Sequence, residues 1–311
     1  MRVALDTRGG ADLRGIGRYV RCLHDALLAT AGEGDELVER RRPTGCDAFH
    51  SPWLDGVLLR PGRPQVVTLH DLVPLKRRSE YLRTGIRFRL RYLAVQRADR
   101  VIVPTAAVGR DVTEHLEVSP ARLRVIHEAP APVFRPAKGD AVAELRSRLG
   151  LPERFLLWVG GMRHRDPRKR LTELTAAPRT LPLVLAGPAG EWTASLPDVQ
   201  LTGELTDEDL ATLYSAAHAL VLPSDDEGFG LTPIEALACG CPVACSDVPA
   251  VREVLDGRAA FAPREDVDAL VALAETLERP APAPPAWTWA DAARATWDVY
   301  RELAGPSPRV A

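Results

Sequence analysis

Short apolar runs alternate with longer stretches of helical period along all 311 residues, and this alternation constrains the fold more than any other feature. It is typical of parallel sheets that are covered by helices. The strands predicted in the first half are Val3–Leu5, Gln65–Leu69, Arg100–Val103 and Arg124–Ile126, with helices at Ile16–Ala29 and Tyr81–Ala98. Those predicted in the second half are Phe155–Val159, Pro182–Ala186, Val199–Leu201, His218–Leu222 and Pro242–Ala244, with helices at Arg170–Ala177, Thr206–Ala216, Pro233–Cys239 and Asp266–Glu278. We therefore predict an α/β protein with two doubly wound domains, in preference to one continuous sheet.

The length of the chain also favours two domains, because a single ordinary core rarely exceeds about 250 residues. A turn-rich stretch near residues 132–145 predicts a first domain at 1–138 and a second at 139–285. The prolines of 280–285 forbid a helix interior, so that segment should be an extended spacer. An amphipathic helix is expected in 286–311, with Ala293, Trp297 and Tyr300 on one face, packed away from its own domain.

Composition predicts a cytoplasmic protein. No apolar run approaches the roughly 20 residues that span a bilayer, and the first ten residues lack the apolar core of a signal peptide. Three of the five cysteines cluster at Cys239, Cys241 and Cys245. A fourth ligand at zinc-finger spacing is missing, so we favour small buried apolar residues over a metal site.

Charge is unevenly distributed along the chain. Residues 1–138 carry 24 Lys and Arg against 16 Asp and Glu, whereas the remainder carries 16 against 26. Within the first half, residues 76–100 hold nine basic and two acidic residues, with an apolar stripe at Leu82, Ile86, Leu90, Leu93 and Ala94. A peripheral contact with the inner membrane surface or an anionic acceptor stays open. We favour a helix packed on its sheet with arginines in water, and without a stacking platform no nucleic-acid partner is expected.

The most informative stretch is Pro223–Gly240, which follows a predicted buried strand and opens a predicted helix. Gly228 and Gly230 permit positive φ angles and a close approach of a ligand to the backbone. A helix that starts at the carboxyl edge of a parallel sheet presents unpaired N–H groups and its positive end. The stretch therefore predicts a phosphate-binding loop.

Two glutamates flank this loop. Thr232, Pro233 and Glu235 fit a capping box, with Thr as N-cap, Pro in the first helical position and Glu three residues after the cap. Local chemistry alone leaves Glu235 open as a capping residue or as a ligand. Glu227 precedes the glycine loop and not a helix, so capping does not account for it.

These glutamates lie eight positions apart around Gly-Phe-Gly-Leu and are followed by Glu-Ala-Leu-Ala-Cys-Gly-Cys-Pro-Val. This pattern resembles the paired-glutamate motif of the retaining glycosyltransferases of family four. Further stretches resemble the same family, namely Asp6–Arg8, Gly15–Tyr19, Asp47–His50, Thr68–Asp71, Ala98–Thr105, Val125–Pro130, Val133–Pro136 and Trp289–Ala293 with Tyr300. The resemblance implies the GT-B fold, in which two Rossmann-like domains bind acceptor and nucleotide diphosphate sugar and a C-terminal helix crosses back to the first domain.

The same resemblance implies roles for residues of the second half. Glu235 would accept hydrogen bonds from the donor ribose, and Glu227 from hydroxyls of the transferred sugar. The amides of Phe229, Gly230 and Leu231 would face the sugar or the diphosphate. The expected donor-binding set is completed by Gly228, Thr232, Gly203, Leu205, Gly15 and Gly17, and Gly187 with Gly203–Leu205 would flank the nucleobase.

In the family an arginine and a lysine after the first strand of the second domain neutralise the donor diphosphate. Lys169 is the expected lysine, and Arg163 is preferred over Arg165 as its partner. No metal site and no cofactor beyond the donor co-substrate are expected. In the first half, His70 is expected to contact the donor sugar or the leaving phosphate, with a structural histidine as the alternative. Gly15 and Gly17 precede a helix and admit the diphosphate or acceptor closely, unless they serve only turn geometry.

The expected function is retaining transfer of a hexose from a nucleotide diphosphate sugar to an acceptor hydroxyl. A GDP-mannose-like donor is favoured, UDP-sugars stay open, and the acceptor is a glycan, a lipid-linked sugar or a small molecule. Two alternatives are a catalytically weak pseudoenzyme that binds a glycan or a partner, and a nucleotide-sugar epimerase or hydrolase on the same fold. A Rossmann dehydrogenase is a remote alternative, because Gly15-Ile-Gly17 lacks the spacing and the ribose-binding acid of the dinucleotide fingerprint.

Overall fold

The computed structural model describes residues 1–11, 15–76 and 86–303. It divides the chain into two compact units: unit 1 comprises Met1–Ala129 and the segment that begins at Trp287, and unit 2 comprises Pro130–Ala286. Each unit contains a six-stranded sheet, and every strand pairing among the described residues is parallel. The predicted α/β fold with two doubly wound domains is confirmed.

Unit 1 has a sheet of order β2-β1-β3-β4-β5-β6. Its strands are β1 Arg2–Leu5, β2 Glu36–Glu39, β3 Ala48–Ser51, β4 Gln65–Thr68, β5 Arg100–Val103 and β6 Leu123–Val125. Its helices are α1 Gly15–Thr30, α2 Val73–Lys76, α3 Ile86–Arg97 and α4 Ala106–Leu116, with short 3₁₀ turns at Thr7–Ala11, Leu54–Gly56 and Pro120–Arg122. The sequence prediction missed β2, β3, α2 and α4.

Unit 2 has a sheet of order β12-β11-β10-β7-β8-β9. Its strands are β7 Leu156–Val159, β8 Leu183–Ala186, β9 Val199–Gly203, β10 Ala219–Leu222, β11 Val243–Ser246 and β12 Ala260–Ala262. Its helices are α5 Gly139–Leu149, α6 Leu171–Ala176, α7 Asp207–Ala216, α8 Leu231–Ala238, α9 Pro249–Leu255 and α10 Val267–Glu275, with 3₁₀ turns at Pro167–Lys169 and Glu191–Ser195. The prediction missed β12, α5 and α9.

The boundary between the units lies before the expected residue 138. Phe134 packs edge-on against Tyr214, with ring centroids 6.0 Å apart. The amide of Ala137 donates a hydrogen bond to Ser215 Oγ at 2.9 Å. Both contacts attach the turn-rich segment to unit 2, so that unit begins at Pro130.

The closing helix, α11 Trp289–Leu303, packs on unit 1. The predicted face is confirmed, because Ala293, Trp297 and Tyr300 are almost fully buried there. They join the cluster that contains Leu23 and Leu27 of α1. Trp297 Nε1 also donates to the carbonyl of Leu27 at 3.1 Å, which satisfies its only polar atom.

The basic segment 76–100 is described only in part. The stripe expected through Leu90 is wrong there, because Leu90 is 46% exposed while Tyr92 and Val95 face the core. Leu82 lies outside the described residues. The guanidinium of Arg91 pairs with Asp55 at 2.6 Å. Within the described ranges, no helix has both the length and the apolar character required to cross a bilayer.

Candidate functional site

The candidate site of unit 2 lies where the order of its sheet reverses. Strands β7 and β10 are hydrogen-bonded neighbours at the centre of the sheet, although β8 and β9 lie between them in sequence. Such a reversal opens a crevice at the carboxyl ends of the two strands. The loop after β7 comprises residues 160–170, which are rich in arginine and lysine, and the loop after β10 comprises residues 223–230. The two loops predicted from sequence therefore meet at one edge of the sheet.

The second loop runs directly into α8. This helix begins at Leu231, and its N-cap is Gly230, which has φ 93° and ψ 54°. Few residues besides glycine adopt that left-handed conformation readily, so the glycine starts the helix there. The predicted capping box is wrong, because Thr232 already lies in the first turn. Glu235 therefore needs another explanation than capping.

Glu235 is buried inside unit 2, with 1% of its surface exposed. Tyr214 of α7 donates its hydroxyl to Glu235 Oε2 at 3.4 Å. A buried carboxylate is costly unless hydrogen-bond donors surround it. It lies in the second turn of α8, five residues after the Gly230 cap.

Glu227 lies half-buried at the start of the glycine loop. Its carboxylate oxygen Oε2 is 3.9 Å from Nη1 of Arg168 in the other loop. At this separation the two groups form an ion pair without a direct hydrogen bond. Gly228 and Phe229, which follow, are buried.

Lys169 closes the 3₁₀ turn Pro167–Lys169 after β7. Its ammonium donates to the carbonyl of Gly161 at 3.2 Å. The same nitrogen lies 5.7 Å from the ring centroid of Trp158, within the range of a cation–π interaction. These contacts keep the ammonium at the carboxyl end of β7.

The two arginines considered as partners of Lys169 lie on the outside of the loop. Arg163 is exposed, and its Nη2 is 3.5 Å from Glu204 Oε2. Arg165 is also exposed and donates to Thr172 Oγ1 at 3.0 Å. The guanidinium of Arg163 is paired with a carboxylate on the β9 side of the sheet edge, so its expected role with the diphosphate stays a prediction.

Three glycines bring the ends of neighbouring strands into close contact. Gly187, at φ 135°, lies so near β7 that a Cβ there would be 2.1 Å from the carbonyl oxygen of Gly160. Its amide donates to the carbonyl of Gly203 at 2.9 Å. Gly187 and Gly203 therefore adjoin, and the half-buried Leu205 follows. The structure thus brings together the residues expected to flank a nucleobase.

The clustered cysteines of unit 2 are buried free thiols. Burial raises the pKa of Cys239 and of Cys241 to about 12 in each case. Among the residues that the structure describes, no group of three or more His, Cys, Asp or Glu side chains is arranged to hold a metal ion.

Both units of the chain match models of known protein families. Residues 7–129 match the family model described as Glycosyltransferase Family 4, and residues 153–279 match the model described as Glycosyl transferases group 1. The two matches fall on unit 1 and unit 2 respectively. The chain belongs to the GT-B glycosyltransferases of family four.

Individual relatives agree with that membership. The D-inositol 3-phosphate glycosyltransferase of Mycobacterium avium is 37% identical over 235 residues, which are 66% of this chain and 53% of that protein. The serotype-specific mannosyltransferase WbdA of Escherichia coli is 29% identical over 216 residues, or 61% of this chain and 26% of that protein. This family-four chain thus matches about half of the first relative's length and about a quarter of the second's.

One solved structure has a similar fold over nearly the whole length of this chain. The structure of Anabaena Alr3699/HepE in complex with UDP-glucose has a TM-score of 0.68 and covers 97% of this chain and 98% of that chain. The sequence identity is 17%, so the comparison concerns the fold alone.

In unit 1, His70 already has partners for both ring nitrogens. Nδ1 is 3.0 Å from Glu128 Oε1, and Nε2 is 3.0 Å from the carbonyl oxygen of Pro52. Burial alone would lower the pKa of His70, but the hydrogen bond and the charge of Glu128 outweigh it and raise that pKa. The ring is therefore anchored within unit 1, and its expected contact with the donor stays a prediction.

The expected position of Gly15 and Gly17 before a helix is wrong, because α1 begins at Gly15. Both glycines lie in its first turn, and Gly17 is buried there. Residues 12–14 lie outside the described part of the chain.

Two residues of the candidate site were not predicted. Arg168 is the basic residue beside Glu227, whereas the sequence analysis weighed only Arg163 and Arg165. Its place in Pro-Arg-Lys, next to Lys169, was the available signal. Tyr214 contacts Glu235 from a different helix, 21 positions away, and no local pattern marks that contact.

Proposed function

We propose that the chain is a retaining glycosyltransferase that moves a hexose from a nucleotide diphosphate sugar to an acceptor hydroxyl. The observation that carries the proposal is that Lys169 follows β7 while Glu227 and Glu235 follow β10, its neighbour at the switch point of the unit 2 sheet, with helix α8 starting after Gly230. Carboxylates accept pairs of sugar hydroxyls, while cations and helix N-termini bind phosphate. A nucleotide diphosphate sugar carries both hydroxyls and phosphates, so it matches both kinds of binding group.

In this proposal Glu235 accepts hydrogen bonds from the ribose, and Glu227 accepts them from the transferred sugar. The amides of Phe229 to Leu231 face the sugar or the diphosphate. Lys169 stabilises the negative charge that develops on the diphosphate, with Arg163 as its partner if the exposed loop turns inward. Gly187 and Gly203 leave room beside the nucleobase, because neither carries a side chain.

We propose a front-face displacement, which retains the configuration without a covalent glycosyl–enzyme intermediate. The bond from the anomeric carbon to the phosphate oxygen breaks, and the bond from that carbon to the acceptor oxygen forms on the same face. The acceptor proton passes to the leaving phosphate oxygen. Product that shows the donor's anomeric configuration by NMR supports this scheme, whereas a trapped glycosyl–enzyme intermediate contradicts it.

A GDP-mannose-like donor is the preferred one, with a UDP-sugar next. The likeness to the mannosyltransferase WbdA and the Pro-Arg-Lys form of the basic loop support the first. The acceptor is a hydroxyl of a glycan, a lipid-linked sugar or a small molecule. We also propose that the cationic loop takes the place of a divalent ion, so that activity persists in EDTA; activity lost in EDTA and restored by Mn²⁺ contradicts this.

The test is calorimetry of the full chain with GDP, UDP, dTDP and ADP and with their sugars, using wild type, Glu235→Ala and the exposed control Glu278→Ala. Loss of hydrogen bonds to a charged acceptor should weaken binding roughly 10- to 100-fold in Glu235→Ala alone. No binding of any nucleotide by the wild type would favour the pseudoenzyme. Conversion of the donor at full rate without an acceptor would favour the epimerase or hydrolase.

A further inference from the structure

Arg168 lies between two carboxylates of the candidate site. Asp166 Oδ1 accepts the backbone N–H of Arg168 at 3.2 Å, and Asp166 Oδ2 accepts Nε at 3.2 Å. The far end of the guanidinium, Nη1, is 3.9 Å from Glu227 Oε2. Asp166 therefore binds the Nε side of the guanidinium, and Nη1 is directed towards Glu227.

The main chain couples the same two loops. The amide of Asp225 donates to the carbonyl oxygen of Arg168 at 3.0 Å. Asp225 is two residues before Glu227, so backbone and side chain of Arg168 both contact the loop that carries the glutamate. The Arg168 side chain is only 17% exposed, so solvent screens its charge less than it would at the open surface.

Arg168 and Lys169 are adjacent in sequence but have different surroundings. The ammonium of Lys169 contacts the Gly161 carbonyl and the Trp158 ring at the end of β7. The guanidinium of Arg168 faces Glu227 on the β10 side. The 3₁₀ turn thus directs two cations that are adjacent in sequence towards different contacts, so they do not form one basic patch.

We infer that Arg168 is a positioning residue that acts on the donor sugar through Glu227. This inference rests on the proposed function. Its contact with Glu227 is an ion pair and not a direct hydrogen bond, so the carboxylate is oriented while its lone pairs stay available to sugar hydroxyls. Arg168 therefore affects how tightly the sugar part is held and how it is oriented, and leaves the nucleotide to Lys169 and Glu235.

A double-mutant cycle tests this pairing, because residues that act through one another are not additive. Arg168→Gln, Glu227→Gln and the double variant are compared for kcat/KM with the preferred donor and for the Kd of the free nucleotide. We expect Arg168→Gln alone to lower kcat/KM roughly 10-fold, which is within the interaction energy of two partly buried charges about 4 Å apart. In the Glu227→Gln background the same change should cost less than about 2-fold, and nucleotide affinity should stay within about 2-fold throughout.

Two further variants separate positioning from folding. Arg168→Lys keeps the charge without the fork and should recover part of the lost kcat/KM. Arg148→Gln removes an exposed arginine of the same unit, paired with Asp209, and should leave kcat/KM unchanged. Melting temperatures of all variants report the fold.

Equal losses from Arg168→Gln in both backgrounds would overturn the inference, because Arg168 would then act independently of Glu227. A matching loss of affinity for the free nucleotide would overturn it as well. A wild type that binds no nucleotide sugar would instead overturn the proposed function, and the inference with it. Wild-type transfer combined with additive variants would overturn the inference alone.

Discussion

Tyr300 of the closing helix and His50 of β3 are hydrogen-bonded in the core of unit 1, with Oη and Nδ1 2.6 Å apart. The other ring nitrogen of His50 is 2.9 Å from Thr68 Oγ1 on β4. Both His50 and Tyr300 are fully buried. A contact between residues 250 positions apart thus attaches the last helix to the centre of the first sheet.

Tyr300→Phe should destabilise unit 1 by about 1–3 kcal/mol, because it leaves a buried imidazole nitrogen without its partner. Urea denaturation of the full chain measures the loss. Tyr92→Phe is the matched control: among the described residues the buried Tyr92 hydroxyl has no hydrogen-bond partner, so its removal should cost nothing or stabilise slightly. Equal losses in both variants would show that the His50–Tyr300 bond contributes little.

His50 should make the protein acid-sensitive. Burial, together with the charge of His70, lowers the pKa of His50 from 6.5 to about 3. Between these values the unfolded state binds a proton that the folded state does not, so stability falls as the pH falls from 6.5 towards 3, by up to about 1.4 kcal/mol per pH unit. His50→Asn should flatten this dependence between about pH 6.5 and 5. An unchanged slope in that variant would contradict the assignment.

His70 should have the opposite effect at higher pH. Burial alone would lower the pKa of His70, but the hydrogen bond and charge of Glu128, with the Pro52 carbonyl, raise it. A raised folded pKa gives stability that is complete below the unfolded value near 6.5 and is lost as the pH rises through the folded value. Glu128→Gln should therefore reduce the decline of stability above pH 6.5, as measured by thermal melts from pH 6 to 9. A decline as steep as that of the wild type would argue against the pair.

Glu302 joins α11 to the sheet edge of unit 1 through two arginines. Its carboxylate accepts Arg124 Nε at 2.9 Å and Arg100 Nε at 2.8 Å. Bonds from Arg124 and Arg100 outweigh burial and lower the pKa of Glu302 to about 2. Stability from this group is present above pH 4.5 and is lost as the pH falls through about 2.

Because the Glu302 side chain is 35% exposed, solvent screens the network, and Glu302→Gln should cost no more than about 1 kcal/mol at pH 7. The cost should shrink in 1 M salt. Asp298→Asn removes a more exposed partner of Arg301 on the same helix and should cost nothing measurable. A loss that is independent of salt would mean that packing, and not charge, is responsible.

The sequence predicted the strands of unit 2 well, because β7, β8 and β10 are buried on both faces and consist of continuous apolar runs. It missed β3, whose residues include His50 and Ser51. Polar residues are buried there because distant partners such as Tyr300 satisfy them. Local periodicity carries no information about a partner 250 positions away.

The candidate site shows the same division. The motif predicted the two loops that follow the neighbouring strands β7 and β10, because glycine spacing and a helix start are local features. The roles of Glu227 and Glu235 stay predictions. The motif failed at the start of α8, because the N-cap is the left-handed Gly230 and not Thr232, so the helix begins two residues earlier than predicted. It also failed at Arg168, because the direction of a side chain on a 3₁₀ turn depends on Asp166 and on the facing loop.

Gly187 and Gly203 allow a matched test of the edge that we assign to the nucleobase. At Gly187 a Cβ would be 2.1 Å from the Gly160 carbonyl oxygen. At Gly203, with φ 73°, no atom of the described residues beyond its chain neighbours lies within 4 Å of the added carbon. Gly203→Ala should therefore cost only the backbone strain of about 1 kcal/mol. Gly187→Ala must displace the end of β7 and should cost at least about 3 kcal/mol or prevent folding. Urea denaturation measures the free energy of unfolding of each variant, and calorimetry measures its affinity for the preferred nucleotide. If both variants lose equal stability, the close contact between β7 and β8 is not what requires glycine at position 187.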